Sequence, residues 1–152
     1  MKITIGSDHG AVELKEEIKK VLAEFEGVEV KDVGTFGTDS VDYPDIAEKV
    51  CADVTSGQSD RGIVLCGTGI GISIAANKIS GIRCALCHDV FSAKKSREHN
   101  DANVLAMGGR VIGFGSASEI VRAWMTTDFE GGRHERRVNK IMALEKNKER
   151  SK

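Results

Sequence analysis

The sequence predicts an α/β protein: one three-layer domain in which helices cover both faces of a five-stranded parallel sheet, with one more helix at the end of the chain. Two observations predict this fold class. Short apolar runs alternate with amphipathic helical patterns along the whole chain, and the run Ile63–Cys66 is apolar throughout, as in a strand buried on both faces. The 152 residues suit a single domain with its own core, and no repeat or linker divides residues 1–152.

Three strands and two helices are predicted in the first half of the chain. Helices are expected where apolar residues recur every three or four positions, as at Leu14, Ile18 and Leu22. The only proline, Pro44, suits the first turn of a helix. The predicted elements are strand Lys2–Gly6, helix Ala11–Phe25, strand Val28–Val33, helix Asp45–Thr55 and strand Arg61–Cys66.

The second half continues the alternation and ends in a helical tail. The predicted elements are a helix about Gly69–Lys78, strand Ile82–Cys87, helix Val90–Glu98, strand Val104–Met107, helix Ala117–Thr126 and a last helix from Arg133 to Lys152. The tail carries Val138, Ile141, Met142 and Leu144 on one inward face. We expect this C-terminal helix, about residues 133–150, to pack at a subunit interface.

The composition argues against several classes of function. The net charge of −1 gives no reason to expect nucleic acid or an anionic membrane as a partner. No apolar run approaches the roughly 18 residues of a transmembrane helix, and the chain enters its first strand at once instead of a signal peptide. We therefore expect a cytoplasmic protein whose four cysteines are reduced thiols.

Cys84 and Cys87 form a C-x-x-C pair that raises the question of redox or metal chemistry. Redox pairs of this kind stand at a helix start, whereas this one lies within a strand-like run. A zinc site usually needs a second pair of ligands. We interpret both residues as structural and disfavour a thiol–disulfide oxidoreductase.

The segment Cys66-Gly67-Thr68-Gly69-Ile70-Gly71 is the most informative motif. It joins a buried strand to a helix, so free N–H groups at the helix start can bind an anion or a developing oxyanion. The same position favours a thiolate at Cys66. The spacing matches neither the dinucleotide fingerprint nor a P-loop. It indicates a small enzyme with an anionic ligand and a cysteine base or nucleophile, unless the cysteine merely packs beside a glycine turn.

Ligands of such sheets bind outside the carboxyl ends of the strands. Asp8 and His9 follow the first strand, residues 66–71 follow the third, and residues 97–101, which include His99, follow the fourth helix. We expect these polar groups to converge on one edge of the sheet.

The motifs together resemble those of a known family over about residues 1 to 141. They are Gly6-Ser7-Asp8-His9, Leu14-Lys15, Asp42-Tyr43-Pro44, the run from Cys66 to Lys78, Ser96-Arg97-Glu98-His99-Asn100-Asp101 and Gly131-Gly132-Arg133-His134. The chain resembles the B-type ribose-5-phosphate isomerases, which have the galactose-6-phosphate isomerase subunits as relatives. It departs from them at Ala11, where the family commonly has glycine.

The resemblance implies a Rossmann-like domain and a role for each matching residue. Cys66 would be the base that moves a proton between C1 and C2, and His99 the acid that opens the furanose ring. Arg110, Arg133 and Arg137 would hold the phosphate. The sugar hydroxyls and reacting oxygens would be held by Asp8, His9, Tyr43, Gly67, Thr68, Gly69, Ile70, Gly71 and Asn100. The family works without metal or organic cofactor, as a dimer or tetramer whose sites draw on two subunits.

Elementary chemistry agrees with these roles. Aldose–ketose isomerisation needs a base for the α-proton and donors for the enediolate oxygens. The N–H groups of residues 68–71 and the Thr68 hydroxyl are candidate donors, which makes Thr68 a catalytic candidate. Arg133 and Arg137 are four residues apart, hence on one helical face, and guanidinium groups suit a phosphate.

The favoured hypothesis is therefore an isomerase of ribose 5-phosphate and ribulose 5-phosphate. The runner-up is an isomerase of a hexose 6-phosphate, such as allose or galactose 6-phosphate. A different class is a non-catalytic module that binds a sugar phosphate or nucleotide. That module would gain support if Cys66 were buried and remote from the arginines.

Overall fold

The computed structural model describes residues 1–151, and the side chains of all of these except residues 148 and 149. In this range five strands and six helices alternate as predicted. They are β1 (Lys2–Ser7), α1 (Val12–Leu22), β2 (Glu29–Asp32), α2 (Tyr43–Thr55), β3 (Arg61–Cys66), α3 (Ile70–Asn77), β4 (Cys84–Leu86), α4 (Val90–Glu98), β5 (Val104–Gly108), α5 (Phe114–Thr126) and α6 (Arg133–Arg150). The strands form one parallel sheet in the order β2-β1-β3-β5-β4. The predicted α/β fold class is confirmed.

The two faces of the sheet carry separate halves of the core. Successive side chains of a strand point to opposite faces. Ile63 and Leu65 of β3 therefore pack with α1, α4 and α5, whereas Val64 and Cys66 pack with α2 and α3. As a result, Cys66 ends the central strand on the face that α2 and α3 cover.

The carboxyl ends of the three central strands are level with one another. Ser7 of β1 pairs with Leu65 of β3, and Cys66 of β3 pairs with Gly108 of β5. The residues that follow β1, β3 and β5 therefore meet at one edge of the sheet, which we call the carboxyl edge.

Some element ends differ from the sequence prediction. The strand predicted over Ile82–Cys87 shrinks to β4 at the edge of the sheet, where the Asn77 side chain pairs with the backbone N–H and carbonyl of Cys84 at 2.8 and 2.9 Å. Helix α2 starts two residues earlier than predicted, with Pro44 in its first turn. The last helix ends at Arg150, and Lys152 lies outside the described residues.

No helix within the described range has an apolar stretch that could cross a membrane.

A buried lysine fixes the loop that follows β2. Lys15 of α1 is fully buried, and its ammonium donates to Asp32 at 2.8 Å and to the carbonyl of Thr35 at 2.6 Å. Burial by itself would raise the pKa of Asp32, but the hydrogen bonds from Lys15, the Gly34 N–H and Lys19 lower it overall. Lys15 thus ties α1 to β2 and to the segment that leads towards His9.

We expect Lys15→Met to lower the free energy of unfolding by about 3 kcal/mol, because the substitution leaves the carboxylate of Asp32 without its buried ammonium partner. Urea denaturation of both proteins measures the difference. Lys20→Met is the matched control: its ammonium pairs with Glu17 on the same helix but the side chain is 72% exposed, so no measurable change is expected. Equal midpoints for Lys15→Met and wild type would contradict the role given to Lys15.

Candidate active site

Cys66 lies at the carboxyl edge with its thiol beside the start of α3. The residue is only 4% exposed, and its sulfur accepts a hydrogen bond from the Gly69 N–H at 3.1 Å. A backbone N–H and the positive end of a helix are both favourable neighbours for a negatively charged group. The sulfur thus lies next to a backbone donor at a helix start, and its role as a base stays a prediction.

The turn after Cys66 leaves a small set of N–H donors for a ligand. Gly69 precedes the helix with a positive φ of 76°, a conformation that favours glycine. The Gly69 N–H is taken by Cys66, and the Ile70 N–H donates to the Thr68 hydroxyl at 3.2 Å. Two of the candidate donors, the N–H groups of Gly69 and Ile70, thus have partners within the chain. The N–H groups of Gly71 and Ile72 remain, since no carbonyl of α3 can accept them.

Two close contacts hold this turn in place. A methyl group on Gly108 would lie 2.5 Å from the carbonyl of Thr68, and one on Gly71 would lie 2.6 Å from the ring of Tyr43. Tyr43 therefore stands beside the turn. His88 was missed by the sequence reasoning: its Nε2 accepts from the Gly108 N–H at 3.0 Å, so it supports the strand end under Thr68. Its position directly after the predicted strand Ile82–Cys87 was the signal available.

Asp8 and His9 approach the same turn from β1. The buried Asp8 accepts the Gly10 N–H at 2.8 Å, and a methyl group on Gly10 would lie 3.1 Å from the Gly67 Cα. His9 Nδ1 accepts the Val41 N–H at 3.3 Å, so the neutral ring carries its proton on Nε2, which is then a donor. Ala11, where the family commonly has glycine, has φ −143°, a backbone conformation that does not require glycine.

Arg110 brings a cation to this edge. Its N–H donates to the Gly67 carbonyl at 2.9 Å, and a methyl group on Gly67 would lie 3.3 Å from its Nη1. The guanidinium is exposed and can reach a ligand. We call the following residues the carboxyl-edge cluster: Asp8, His9, Tyr43, Cys66, Gly67, Thr68, Gly69, Ile70, Gly71 and Arg110.

The remaining predicted site residues form a second group. His99 ends α4 and stacks on His134 of α6, with ring centroids 4.0 Å apart and ring planes 9° from parallel. The exposed Arg133 and Arg137 lie in the first turns of α6 beside them. Glu130 bonds through its N–H to the Glu98 carbonyl at 3.1 Å, which ties the two helix ends together. We call His99, Asn100, Glu130, Arg133, His134 and Arg137 the amino-edge cluster.

The two clusters lie at opposite edges of the sheet. The Asn103 carbonyl accepts the Gly62 N–H at 2.9 Å at the start of β3, and the Arg83 side chain, at the start of β4, donates to the carbonyls of Asn100 and Asp101. From Gly62 the strand runs about 13 Å further to Cys66. The expected convergence of His99 with Cys66 on one edge is wrong within one chain, because α4 carries the backbone back to the amino ends of the strands.

The C-x-x-C pair takes no part in either cluster. Cys84 lies against the α2 and α3 half of the core and Cys87 in the other half, and both are free thiols. Burial raises the pKa of Cys87 to about 11, and it raises the pKa of Cys84 as well. A protonated thiol is a poor nucleophile, so the structural interpretation of this pair is supported.

Comparison with known proteins identifies close relatives. The family model described as ribose/galactose isomerase matches residues 3–141. Ribose-5-phosphate isomerase B of Escherichia coli K12 is 51% identical over 144 residues, which cover 95% of this chain and 96% of that protein. A D-erythrulose-4-phosphate isomerase of Pectobacterium atrosepticum is 44% identical over 93% of each chain. The solved structure of Clostridium thermocellum ribose-5-phosphate isomerase B has a TM-score of 0.94 at 57% identity, covering 97% of this chain and 99% of that one.

Proposed function

The chain belongs to the ribose/galactose isomerase family, and we propose that it is a B-type ribose-5-phosphate isomerase that interconverts ribose 5-phosphate and ribulose 5-phosphate. The observation that carries the proposal is the thiol of Cys66 at the end of β3, held by the Gly69 N–H at 3.1 Å beside unpaired N–H groups of a helix start. This is a base next to oxyanion donors, which is what an enediolate reaction requires.

The first step is ring opening. His99 in its protonated form gives a proton to the ring oxygen of ribose 5-phosphate as the bond between that oxygen and C1 breaks, and the C1 hydroxyl passes its proton to water as the aldehyde forms. Arg133 and Arg137 hold the phosphate from one helical face, together with Arg110. Asp8, His9, Tyr43 and Asn100 contact the sugar hydroxyls.

The second step moves a proton between neighbouring carbons. The Cys66 thiolate removes the C2 proton of the open aldose, and the electron pair passes to the aldehyde oxygen to form an enediolate. The Thr68 hydroxyl and the N–H groups of Gly71 and Ile72 stabilise its charge. Cys66 then returns the proton to C1 while the proton of the C2 hydroxyl passes to the C1 oxygen, which leaves the ketose. No metal or organic cofactor enters these steps.

Both clusters serve one site if two subunits share it. In a two-fold symmetric dimer the carboxyl-edge cluster of one chain faces the amino-edge cluster of the other, and symmetry completes a second site. Exposed apolar side chains beside the clusters support this assembly: Ile70 and Ile74 on α3, and Ile141 and Leu144 on α6 are 45–61% exposed. Of the tail residues predicted to face inward, Val138 is buried, whereas Ile141 and Leu144 are not. We propose a homodimer at least, with a tetramer as a further assembly.

The alternative of a non-catalytic binding module predicts a Cys66 that is buried and remote from the arginines. Cys66 is buried, and Arg133 and Arg137 belong to the other cluster, but the Arg110 N–H is bonded to the Gly67 carbonyl, next to the thiol. In a site shared by two chains, Arg133 and Arg137 of one chain lie near Cys66 of the other chain. Together with the named relatives, this favours the enzyme. The four free thiols suit a reducing compartment, and we propose a cytoplasmic enzyme without nucleic-acid or membrane partners.

A direct substrate comparison tests the proposal. The enzyme is assayed with ribose 5-phosphate, erythrulose 4-phosphate, allose 6-phosphate and galactose 6-phosphate, and kcat/KM is compared. We expect the highest value for ribose 5-phosphate, by about tenfold or more per added or missing carbon. A higher value for a hexose 6-phosphate would make the runner-up the correct function, and binding without turnover of any of the four would support the binding module.

Removing one phosphate ligand should mainly weaken substrate binding. We expect Arg137→Ala to raise KM for ribose 5-phosphate about ten- to a hundredfold, because a charge-assisted hydrogen bond contributes roughly 1.5–3 kcal/mol. Inhibition by inorganic phosphate should weaken in parallel. Arg136→Ala, which removes the neighbouring exposed cation, is the matched control and should leave KM within about twofold. Equal KM values for both variants would remove Arg137 from the phosphate site.

A further inference from the structure

We propose that His134, oriented by Glu130, is a positioning residue for His99: its ring is the flat support that fixes the direction of the His99 ring. The proposal rests on the function given above, in which His99 is the acid that opens the sugar ring. It goes beyond that function by giving His134 a role that His134 performs only by orienting His99.

The contact joins two helix ends that are distant in sequence. His99 ends α4, whereas His134 lies in the first turn of α6 and is only 7% exposed. The rings lie face to face, with centroids 4.0 Å apart and planes 9° from parallel. The carboxylate of Glu130 lies 3.4 Å from Nε2 of His134. The buried ring of His134 therefore has His99 against one face and the carboxylate of Glu130 near its edge.

The His99 ring depends on this support for its orientation. Among the described residues its ring nitrogens make no hydrogen bond, and only its backbone N–H is fixed, by the Lys95 carbonyl at 2.8 Å. Without the support of His134, rotation about two side-chain torsions would leave the partly exposed imidazole of His99 free to turn. A general acid must hold its proton within hydrogen-bond reach of the oxygen that it protonates.

The charges around the pair favour a neutral His134 ring. Two imidazolium rings 4.0 Å apart would repel each other, so the stack favours one protonated ring. Burial lowers the pKa of His134, and the nearby His99, Arg133 and Arg137 lower it further, against the opposing effect of Glu130. A neutral His134 can therefore support the His99 ring without repelling the proton that His99 donates in the proposed reaction.

The same three side chains do not suit a metal ion in this arrangement. The ligand atoms of His99, Glu130 and His134 lie within 4.8 Å of one another. However, a metal bound to an imidazole nitrogen lies close to the plane of that ring. Two parallel rings, one above the other, have no common plane in which a single ion could lie. The geometry points to a support and not to a metal centre.

A pair of substitutions of similar volume tests the proposal. His134→Phe keeps a flat ring under His99, whereas His134→Leu fills the buried space without one. We expect His134→Leu to lower kcat for ribose 5-phosphate about ten- to a hundredfold, as for a misplaced catalytic group. We expect KM to change by less than about threefold, and His134→Phe to recover most of kcat. Asn139→Ala, at an exposed position of the same helix, is the control for general effects on α6.

A second measurement separates positioning from a structural defect. Exchange of the C1 protons of ribulose 5-phosphate with solvent needs Cys66 but no ring opening, so His134→Leu should retain it within about twofold. Loss of exchange together with turnover, or equal kcat values for the Leu and Phe variants, would overturn the proposal. Failure of the wild-type protein to turn over ribose 5-phosphate would instead overturn the proposed function. Normal turnover by wild type and His134→Leu alike would overturn only the role of His134.

Discussion

Cys66→Ala should abolish isomerisation of ribose 5-phosphate while leaving the fold and ligand binding intact. The expected loss in kcat is at least the factor of about 10²–10⁴ that a general base contributes. A larger loss is expected here, because Cys66 is 4% exposed and leaves little room for water to replace the thiolate. Steady-state rates in both directions measure the loss.

The controls separate chemistry from structure. Cys84→Ala removes another thiol on the same half of the core and should keep kcat within about threefold, because that residue touches neither cluster. Calorimetric titration with ribose 5-phosphate should show that Cys66→Ala still binds substrate. Near-normal turnover by Cys66→Ala would assign the base to another group.

A mixture of two inactive variants should recover about one quarter of wild-type activity if a two-fold dimer shares its sites. The variants are Cys66→Ala, which damages the carboxyl-edge cluster, and His99→Asn, which damages the amino-edge cluster. In a mixed dimer one site receives both defects and the other receives none. Half of the randomly reassembled dimers are mixed, and each has one intact site.

The matched control pairs two variants of the same cluster. Cys66→Ala mixed with Arg110→Ala should recover nothing beyond the activity of each parent, because both residues of every site come from one chain. Both mixtures are unfolded and refolded together, and the mixed dimers are verified by mass. Absence of recovery in verified mixed dimers of Cys66→Ala and His99→Asn would show that each site takes both residues from one chain. That result would contradict the placement of the two clusters at opposite ends of β3.

The sequence determined the fold class and most of the carboxyl-edge cluster. Apolar periodicity is a local property, and so is the glycine turn that follows Cys66. Asp8 follows β1 directly and Cys66 is the last residue of β3, and the ends of neighbouring parallel strands share one edge whatever the helices do. The placement of these residues could therefore be predicted before any contact between distant segments was known.

Only the tertiary structure decided where His99 lies and which groups surround it. His99 follows a helix instead of a strand, and a crossover helix returns the chain to the other edge of the sheet. The predicted helix Val90–Glu98 runs antiparallel to the strands, and its direction was the signal that could have placed His99 at the amino ends of the strands. No local pattern predicts the stack of His99 on His134 or the pairing of Lys15 with Asp32, since each joins segments brought together only by packing of the whole chain. Periodicity fixes which face of an element is buried, whereas the partners on that face are fixed by how all the elements pack at once.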